Sequence, residues 1–363
     1  MRIDLLITEL DTGGAEKCCA ELAIFLAQRG HGVRVIALGP RPPASKDSLV
    51  QLLEANQVEL HFLGGQKWWM LLQVVWKLKK LLKLDRPDVV QSFLWHANVV
   101  AAWLVPPRRI PLFAGIRVAE PLVYRHALDR WAASRSTKTI CVSQGVAEWC
   151  IQTERIDANK LMVIPNGIAI QTDKRAIPSD SHAVPDDAKI LLFVGRLEIQ
   201  KGIDVLLEHA NSVLDRLPLH HLVVIGDGSM RHEMNTLAEQ GPRGRIHCLG
   251  QRKDVRAWMA RSELLLLPTR YEGMPNVILE AMIEGLPVVT TRVEGVAELL
   301  GDYSQQQSVD KEDWTAFCEL AVTLSNAPQS RKEMSTANRE RAKSEFALEK
   351  QLARYESLYA NPN

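Results

Sequence analysis

The stretch from Thr269 to Thr291, TRYEGMPNVILEAMIEGLPVVTT, places two carboxylates, Glu272 and Glu280, on either side of a Gly-x-Pro turn. With Pro275 opening a helix, the amide groups around Gly273, Met274, Asn276 and Val277 converge on a positive pole that suits a diphosphate. Glu272 then faces the group on one side of that diphosphate. Glu280, about 7 to 8 Å along the axis from Pro275, faces the group on the other side. Carboxylates accept hydrogen bonds from hydroxyls, and a nucleotide-sugar carries hydroxyls at both ends, the sugar on its outer phosphate and a ribose on its inner one. An isolated pair at this spacing is equally explained by an acid that complements the helix dipole and a second on a solvated face.

Other residues supply the cations such a ligand needs. In FVGRLEIQKGIDVLL, Arg196 leaves the end of a strand and Lys201 precedes a helix, so both aim at the same carboxyl edge. A lysine delivers a point charge and an arginine a planar fork, and together they could stabilise the charge on a departing phosphate. Two solvated loop charges read the same way without context. VVIGDGSMRHEM adds a strand-to-helix glycine turn on that edge, with Gly226 and Gly228 around Asp227, and ELDTGGAE sets Gly13 and Gly14 between the first strand and first helix. Glycines there let backbone approach a phosphate, or they serve only the turn. A dinucleotide fingerprint is excluded, because G-x-G-x-x-G is absent and the second strand ends in ALGP without an acid.

The elements that must position these groups follow from periodicity. Short β-branched runs (IDLLIT, GVRVIAL, VELHFL, DVVQSF, PLFAGI, KTICVS) alternate with segments of helical period such as AEKCCAELAIFLAQRG. Alternation of this kind predicts a parallel sheet covered on both faces. The pattern lapses in VIPNGIAIQTDKRAIPSDSHAVPDDA and restarts at KILLFVGRL, then runs through HLVVIGDG, RIHCLG, ELLLLPT and LPVVTT. Two α/β doubly wound domains are expected, 1–166 and 189–345, with a linker at 167–188 and a last helix in 346–363 that crosses back to the first domain. Ligands of such sheets sit at the carboxyl ends of strands, so two domains offer two such edges across one cleft.

The bulk numbers agree. A chain of 363 residues exceeds the size of a single growing core, and 46% hydrophobic with 24% charged residues describes an ordinary globular protein. A net charge of +1 gives no global pull toward nucleic acid. The six cysteines lack metal-ligand spacing and point to a reducing cytoplasm. The opening MRIDLLITEL is too acidic and its apolar core too short for a signal peptide, and no run of eighteen apolar residues exists.

RYEGMPNVILEAMIEGLPVV, together with VGRLEIQKG, VIGDGS, VIPNGI and GGAEKCCAELA, resembles the retaining glycosyltransferases of family 4, which have the two-Rossmann GT-B fold. These spaced motifs coincide in the right order over nearly the whole chain. The resemblance implies metal-independent transfer of a sugar, by a hexosyltransferase, from a UDP- or GDP-sugar with retention of configuration. It also implies roles: Glu272 on the donor sugar, Glu280 on the ribose, Arg196 and Lys201 on the diphosphate, and His96 of SFLWHAN on the sugar near the reacting carbon. One position departs, since Ala169 stands where the family's linker motif carries an acid. No Asp-x-Asp metal pair is in place and no enzymatic nucleophile is evident, so no metal or cofactor is expected, and a same-face displacement assisted by the leaving phosphate is favoured over a covalent intermediate.

For the acceptor, QKWWMLLQVVWKLKKLLKLDRP (66–87) sets Trp68, Trp69 and Trp76 beside Lys77, Lys79, Lys80 and Lys83. This composition suits peripheral contact with the inner face of a membrane through 66–84, and equally a helix that merely covers the sheet. A glycan or a lipid-linked saccharide in envelope polysaccharide synthesis is the expected acceptor. Arg117 and Glu120 in GIRVAEP fall on the first domain's carboxyl edge, as acceptor contacts or as a surface ion pair without a role. The rival readings are a nucleotide-sugar epimerase of the same fold and a non-catalytic subunit that binds a sugar nucleotide.

Overall fold

The computed structural model describes residues 1–11, 13–106, 109–170, 178, 184–241 and 244–362, the side chain of Trp68 excepted. It divides into two compact units, Met1–Asn166 with Glu349–Asn363, and Gly167–Leu348. Most of the stretch expected to be a linker, 171–177 and 179–183, lies outside the described residues.

In the first unit β1 (Arg2–Ile7), β2 (Gly32–Ala37), β3 (Glu59–Phe62), β4 (Val89–Phe93), β5 (Leu112–Ile116), β6 (Lys138–Cys141) and β7 (Leu161–Val163) form one sheet in the order β3-β2-β1-β4-β5-β6-β7. In the second, β8 (Lys189–Val194), β9 (His220–Ile225), β10 (Ile246–Gly250), β11 (Leu264–Leu267), β12 (Val288–Thr291) and β13 (Ser308–Val309) run β10-β9-β8-β11-β12-β13. Every strand pairing is parallel. Both sheets are doubly wound as the alternation predicts. The strands β7 and β13 were not anticipated, being too short to show a period.

Burial explains the composition of the strands. In RIDLLI everything after Arg2 is buried, because helices cover both faces. The one acid there, Asp4, lies opposite Arg34 in the register of β1 with β2. The arginine meets it with two parallel hydrogen bonds of 2.8 Å, which satisfies a charge that burial would otherwise penalise.

The last helix, Leu348–Ala360, belongs almost wholly to the first unit. It buries Leu352, Tyr355, Leu358 and Tyr359. The Tyr359 ring lies 5.5 Å from that of Phe113 in β5, and its hydroxyl is 3.1 Å from Gln91 Oε1 in β4. All six cysteines are free, four of them buried. Among the described residues no helix is long and apolar enough to cross a membrane.

Both strand orders reverse direction once, between β1 and β4 and between β8 and β11. At such a point the loops leaving adjacent strands part toward opposite faces and open a crevice. The predicted site residues cluster beside these two crevices.

Candidate active site

In the second unit the loop after β8 carries Gly195 and Arg196, then a 3-10 turn at Ile199–Lys201, then the helix Ile203–Arg216. The loop after β11 carries Thr269 and Glu272 and leads into the helix Asn276–Glu284. Across the crevice the Lys201 ammonium and the Glu272 carboxylate form a largely buried ion pair. Thr269, fully buried, brings its hydroxyl 2.9 Å from the same carboxylate oxygen.

Arg196 is exposed and reaches the Gln200 side-chain oxygen at 2.7 Å, while the Gln200 amide donates to the Tyr271 carbonyl at 3.0 Å. Arg196, Lys201 and Glu272 are therefore brought together by two residues that the sequence reading passed over, Gln200 and Thr269. Both are ordinary polar residues whose signal is purely tertiary.

The two loops are also joined through backbone. Gly202 has a left-handed φ of 75°, and a Cβ there would stand 1.9 Å from the Pro268 carbonyl oxygen. Only glycine allows the approach. Gly226 has the same character, since a Cβ would meet the Gly195 oxygen at 1.8 Å. Packing against the Arg196 loop thus accounts for Gly226 without any ligand. Glu198 ties the glycine turn down by accepting from the Ser229 amide at 3.0 Å and hydroxyl at 2.7 Å, bonds that hold its pKa below the ordinary glutamate value.

The helix after Glu272 begins one residue later than expected. Pro275 has ψ of 110° and is the cap, so Asn276 is the first helical residue. Gly273, Met274 and Pro275 are buried, whereas Asn276, Val277 and Glu280 are half-buried. Behind this turn, Gly295 packs so closely on the Gly273 carbonyl that a Cβ would come within 2.3 Å of it. The turn is thereby fixed from its inner side.

His96, Gly13 and Gly14 belong to the first unit. His96 is exposed, at the start of the helix Trp95–Leu104 that follows β4. It borders an open pocket lined among others by Thr8, Trp95, Arg117, Arg125 and Glu154. Its ring meets Trp95 edge-on at 4.9 Å, and Arg125 lies 4.9 Å above the Trp95 ring. Desolvation, helped by the Arg125 charge, lowers the imidazole pKa below its ordinary value. Immediately before it, Leu94 has φ of 70° and ψ of 158°. That region is essentially reserved for glycine and is characteristic of backbone held in strain beside functional groups.

Beside Gly13 lies the chain's own Glu16, whose Oε2 would stand 2.2 Å from a Cβ on that glycine. The reading of Arg117 and Glu120 as a surface ion pair is corrected. Arg117 is not in a surface ion pair: it is buried and bonds the Asn166 side chain. Glu120 pairs instead with Arg125.

Deeper in the pocket wall, Asp129 and Glu154 are both buried. Desolvation, with the neighbouring Asp129 charge, pushes the Glu154 carboxyl up to about 8.

Residues 12–172 match the family model for Glycosyltransferase Family 4, and residues 188–326 match that for Glycosyl transferases group 1. The chain is 30% identical over 314 residues to an uncharacterized glycosyltransferase of Methanocaldococcus jannaschii, covering 79% of each. It is 25% identical over 268 residues to a UDP-Gal:alpha-D-GlcNAc-diphosphoundecaprenol alpha-1,3-galactosyltransferase of Escherichia coli, covering 69% of each. Among solved structures, the HepE protein of Anabaena in complex with UDP-glucose superposes with a TM-score of 0.83 at 22% identity, over 99% of this chain and 100% of that one. The motifs, the two doubly wound units and these matches agree that the chain belongs to glycosyltransferase family 4 and has the GT-B fold.

Proposed function

We propose that this glycosyltransferase moves a hexose from a UDP- or GDP-sugar, with retention of anomeric configuration and without a metal ion, to a glycan or lipid-linked saccharide of the cell envelope. The observation that carries the reading is the Lys201–Glu272 pair at the β8/β11 crevice, with Arg196 tethered next to it. A cation that must leave its carboxylate when a diphosphate arrives, and a carboxylate then released to accept from sugar hydroxyls, are the two halves of a nucleotide-sugar site.

In this reading Arg196, Lys201 and the amide pole at Gly273–Val277 take the diphosphate, and Glu280 takes the ribose. Glu272 holds the donor sugar, and His96 is the group assigned to the sugar near its reacting carbon. The bond from the anomeric carbon to the phosphate oxygen breaks as the acceptor oxygen bonds on the same face, and the acceptor proton passes to the departing diphosphate. Charge on the leaving group is met by protein cations already in place. The UDP-glucose bound to HepE and the diphosphoundecaprenol-linked substrate named for the Escherichia coli relative support a uridine nucleotide and a lipid-linked acceptor. Peripheral contact with an anionic membrane through 66–84 completes the proposal.

Thermal unfolding with UDP-glucose, UDP-galactose and GDP-mannose tests donor binding, since a ligand at a hundred times its Kd adds about 2.7 kcal/mol. Transfer of radiolabelled sugar to extracted membranes, with and without EDTA, tests the chemistry. A chain stabilised by none of the three, or transfer abolished by EDTA, refutes the corresponding part.

A further inference from the structure

We propose that three neighbouring helices of the first unit, not the Trp- and Lys-rich helix alone, form one docking face for an anionic bilayer, and that this face reaches the rim of the His96 pocket. The inference rests on the membrane reading above and extends it to residues that no sequence pattern singled out.

The helices Leu71–Leu84, Trp95–Leu104 and His126–Arg135 contribute Val74, Leu78 and Leu82, then Ala97, Val100 and Ala101, then Ala132, to one buried cluster. Leu6 of β1, Ile36 of β2, Val90 of β4 and Leu112 of β5 supply its sheet side. The three helices therefore cover the same face of the sheet, and their other sides share one outer surface.

A helix that served only to cover the sheet would be polar on that outer side. Instead Trp69 is 57% exposed, Leu72 75% and Trp76 63%. The next helix exposes Trp103 at 52%, and the third exposes Leu128 and Trp131, with Tyr124 just before it at 69%. Arg135 joins the last two helices, donating to the Ala102 carbonyl at 2.6 Å while lying 5.7 Å from the Trp131 ring. Aromatic side chains carry roughly 150–250 Å² each, so about half of each of these five sums to roughly 400–600 Å², the size of the largest, often functional, apolar patch of a monomer.

The charges identify the occupant. The helix Leu71–Leu84 has four lysines and no acid. Lys79, Lys80 and Lys83 surround Trp76 and Leu84 in a shallow cup, with Lys80 Nζ 5.5 Å from the Trp76 ring, and Lys67 Nζ lies 4.8 Å from the Trp69 ring. Lysine is depleted from protein–protein interfaces, whereas lysine intermixed with tryptophan and leucine is the pattern of the headgroup layer. The face also has a direction. Arg125 lies 5.6 Å from Tyr124 on the face and 4.9 Å from Trp95 in the pocket, and it lines that pocket with His96. A saccharide carried on a lipid in the docked bilayer would thus present itself at the pocket rim.

The test is sedimentation of the full chain with sucrose-loaded phosphatidylcholine vesicles, with and without one third phosphatidylglycerol. Wild type is expected to bind the anionic vesicles and to be released by salt. Trp103→Ser/Trp131→Ser, with 66–84 intact, is expected to lose about tenfold in bound-to-free ratio, as is Trp69→Ser/Trp76→Ser, while both unfold at the wild-type temperature. Leu128→Lys, which adds charge but removes apolar area, serves as a second variant and should weaken binding less than the tryptophan pair. If the Trp103/Trp131 variant binds as wild type while the Trp69/Trp76 variant does not, the three-helix face is overturned and the single-helix reading stands. If wild type ignores both vesicle types, both fall and the face belongs to a protein partner.

Discussion

Lys201 and Glu272, 71 residues apart in sequence, are direct ion-pair partners, with Thr269 on the same carboxylate oxygen. The pair places a positive and a negative group at the crevice, each satisfying the other; in the proposed reaction a ligand offers both a better match. Lys201→Ala removes the cation and leaves a buried carboxylate with a hydroxyl alone. Loss of stability on the order of 1–3 kcal/mol is expected, with a fall in turnover of about 100- to 1000-fold. Thermal unfolding and initial rates read the two effects, and Glu272→Gln should separate them by preserving stability better than activity.

His96 gives a pH prediction. Its pKa is lowered by desolvation and by Arg125, so the folded chain favours the neutral ring. For a base with a depressed pKa, stability from the neutral form is fully present above the ordinary histidine value and is lost as pH falls through the folded one. Turnover that depends on a neutral His96 should hold its plateau below pH 6.5, the ordinary histidine value. Arg125→Gln should move the acidic limb of the rate profile upward. A limb that stays in place refutes the electrostatic link.

Glu154 gives the opposite sign. A carboxyl raised from 4.5 to about 8 binds a proton in the folded chain that the unfolded chain has released, so stability falls as pH rises between those values. Glu154→Gln keeps the size of the side chain and removes the titration. The variant should be more stable than wild type at pH 8, by about 2–8 °C in Tm, with the difference vanishing near pH 5. Parallel Tm curves for the two proteins would overturn the assignment.

The glycines separate conformation from crowding. Gly30 and Gly202 both have left-handed φ, 82° and 75°, but a Cβ at Gly30 meets nothing within 4 Å whereas at Gly202 it meets the Pro268 carbonyl. Gly30→Ala should cost about 1 kcal/mol, and Gly202→Ala well beyond it, with turnover falling as the crevice loops separate. Chemical denaturation at neutral pH makes the comparison. Equal losses would mean that the loops yield freely.

Periodicity made most of the fold legible, because strands buried on both faces read as continuous apolar runs and the helices between them keep their stripe. It could not show β13, two residues long, or β7, three, since neither spans a period. Of the candidate site, the charged residues were picked out by their place at strand and helix ends together with the family resemblance, since alone such charges read equally as solvated ones. Gln200 and Thr269 were not, as their role exists only once two loops meet.

The contact between Gly202 and the Pro268 carbonyl has one more implication. Beside it the Arg270 amide and the Thr269 hydroxyl both donate to the Gln200 carbonyl, at 2.9 and 3.1 Å, so the segment bearing the lysine and the segment bearing the glutamate are bonded to each other. They form the two sides of one jaw, and the proposed reaction therefore calls for a substrate to be gripped by rearranging side-chain partners and not by bending the main chain.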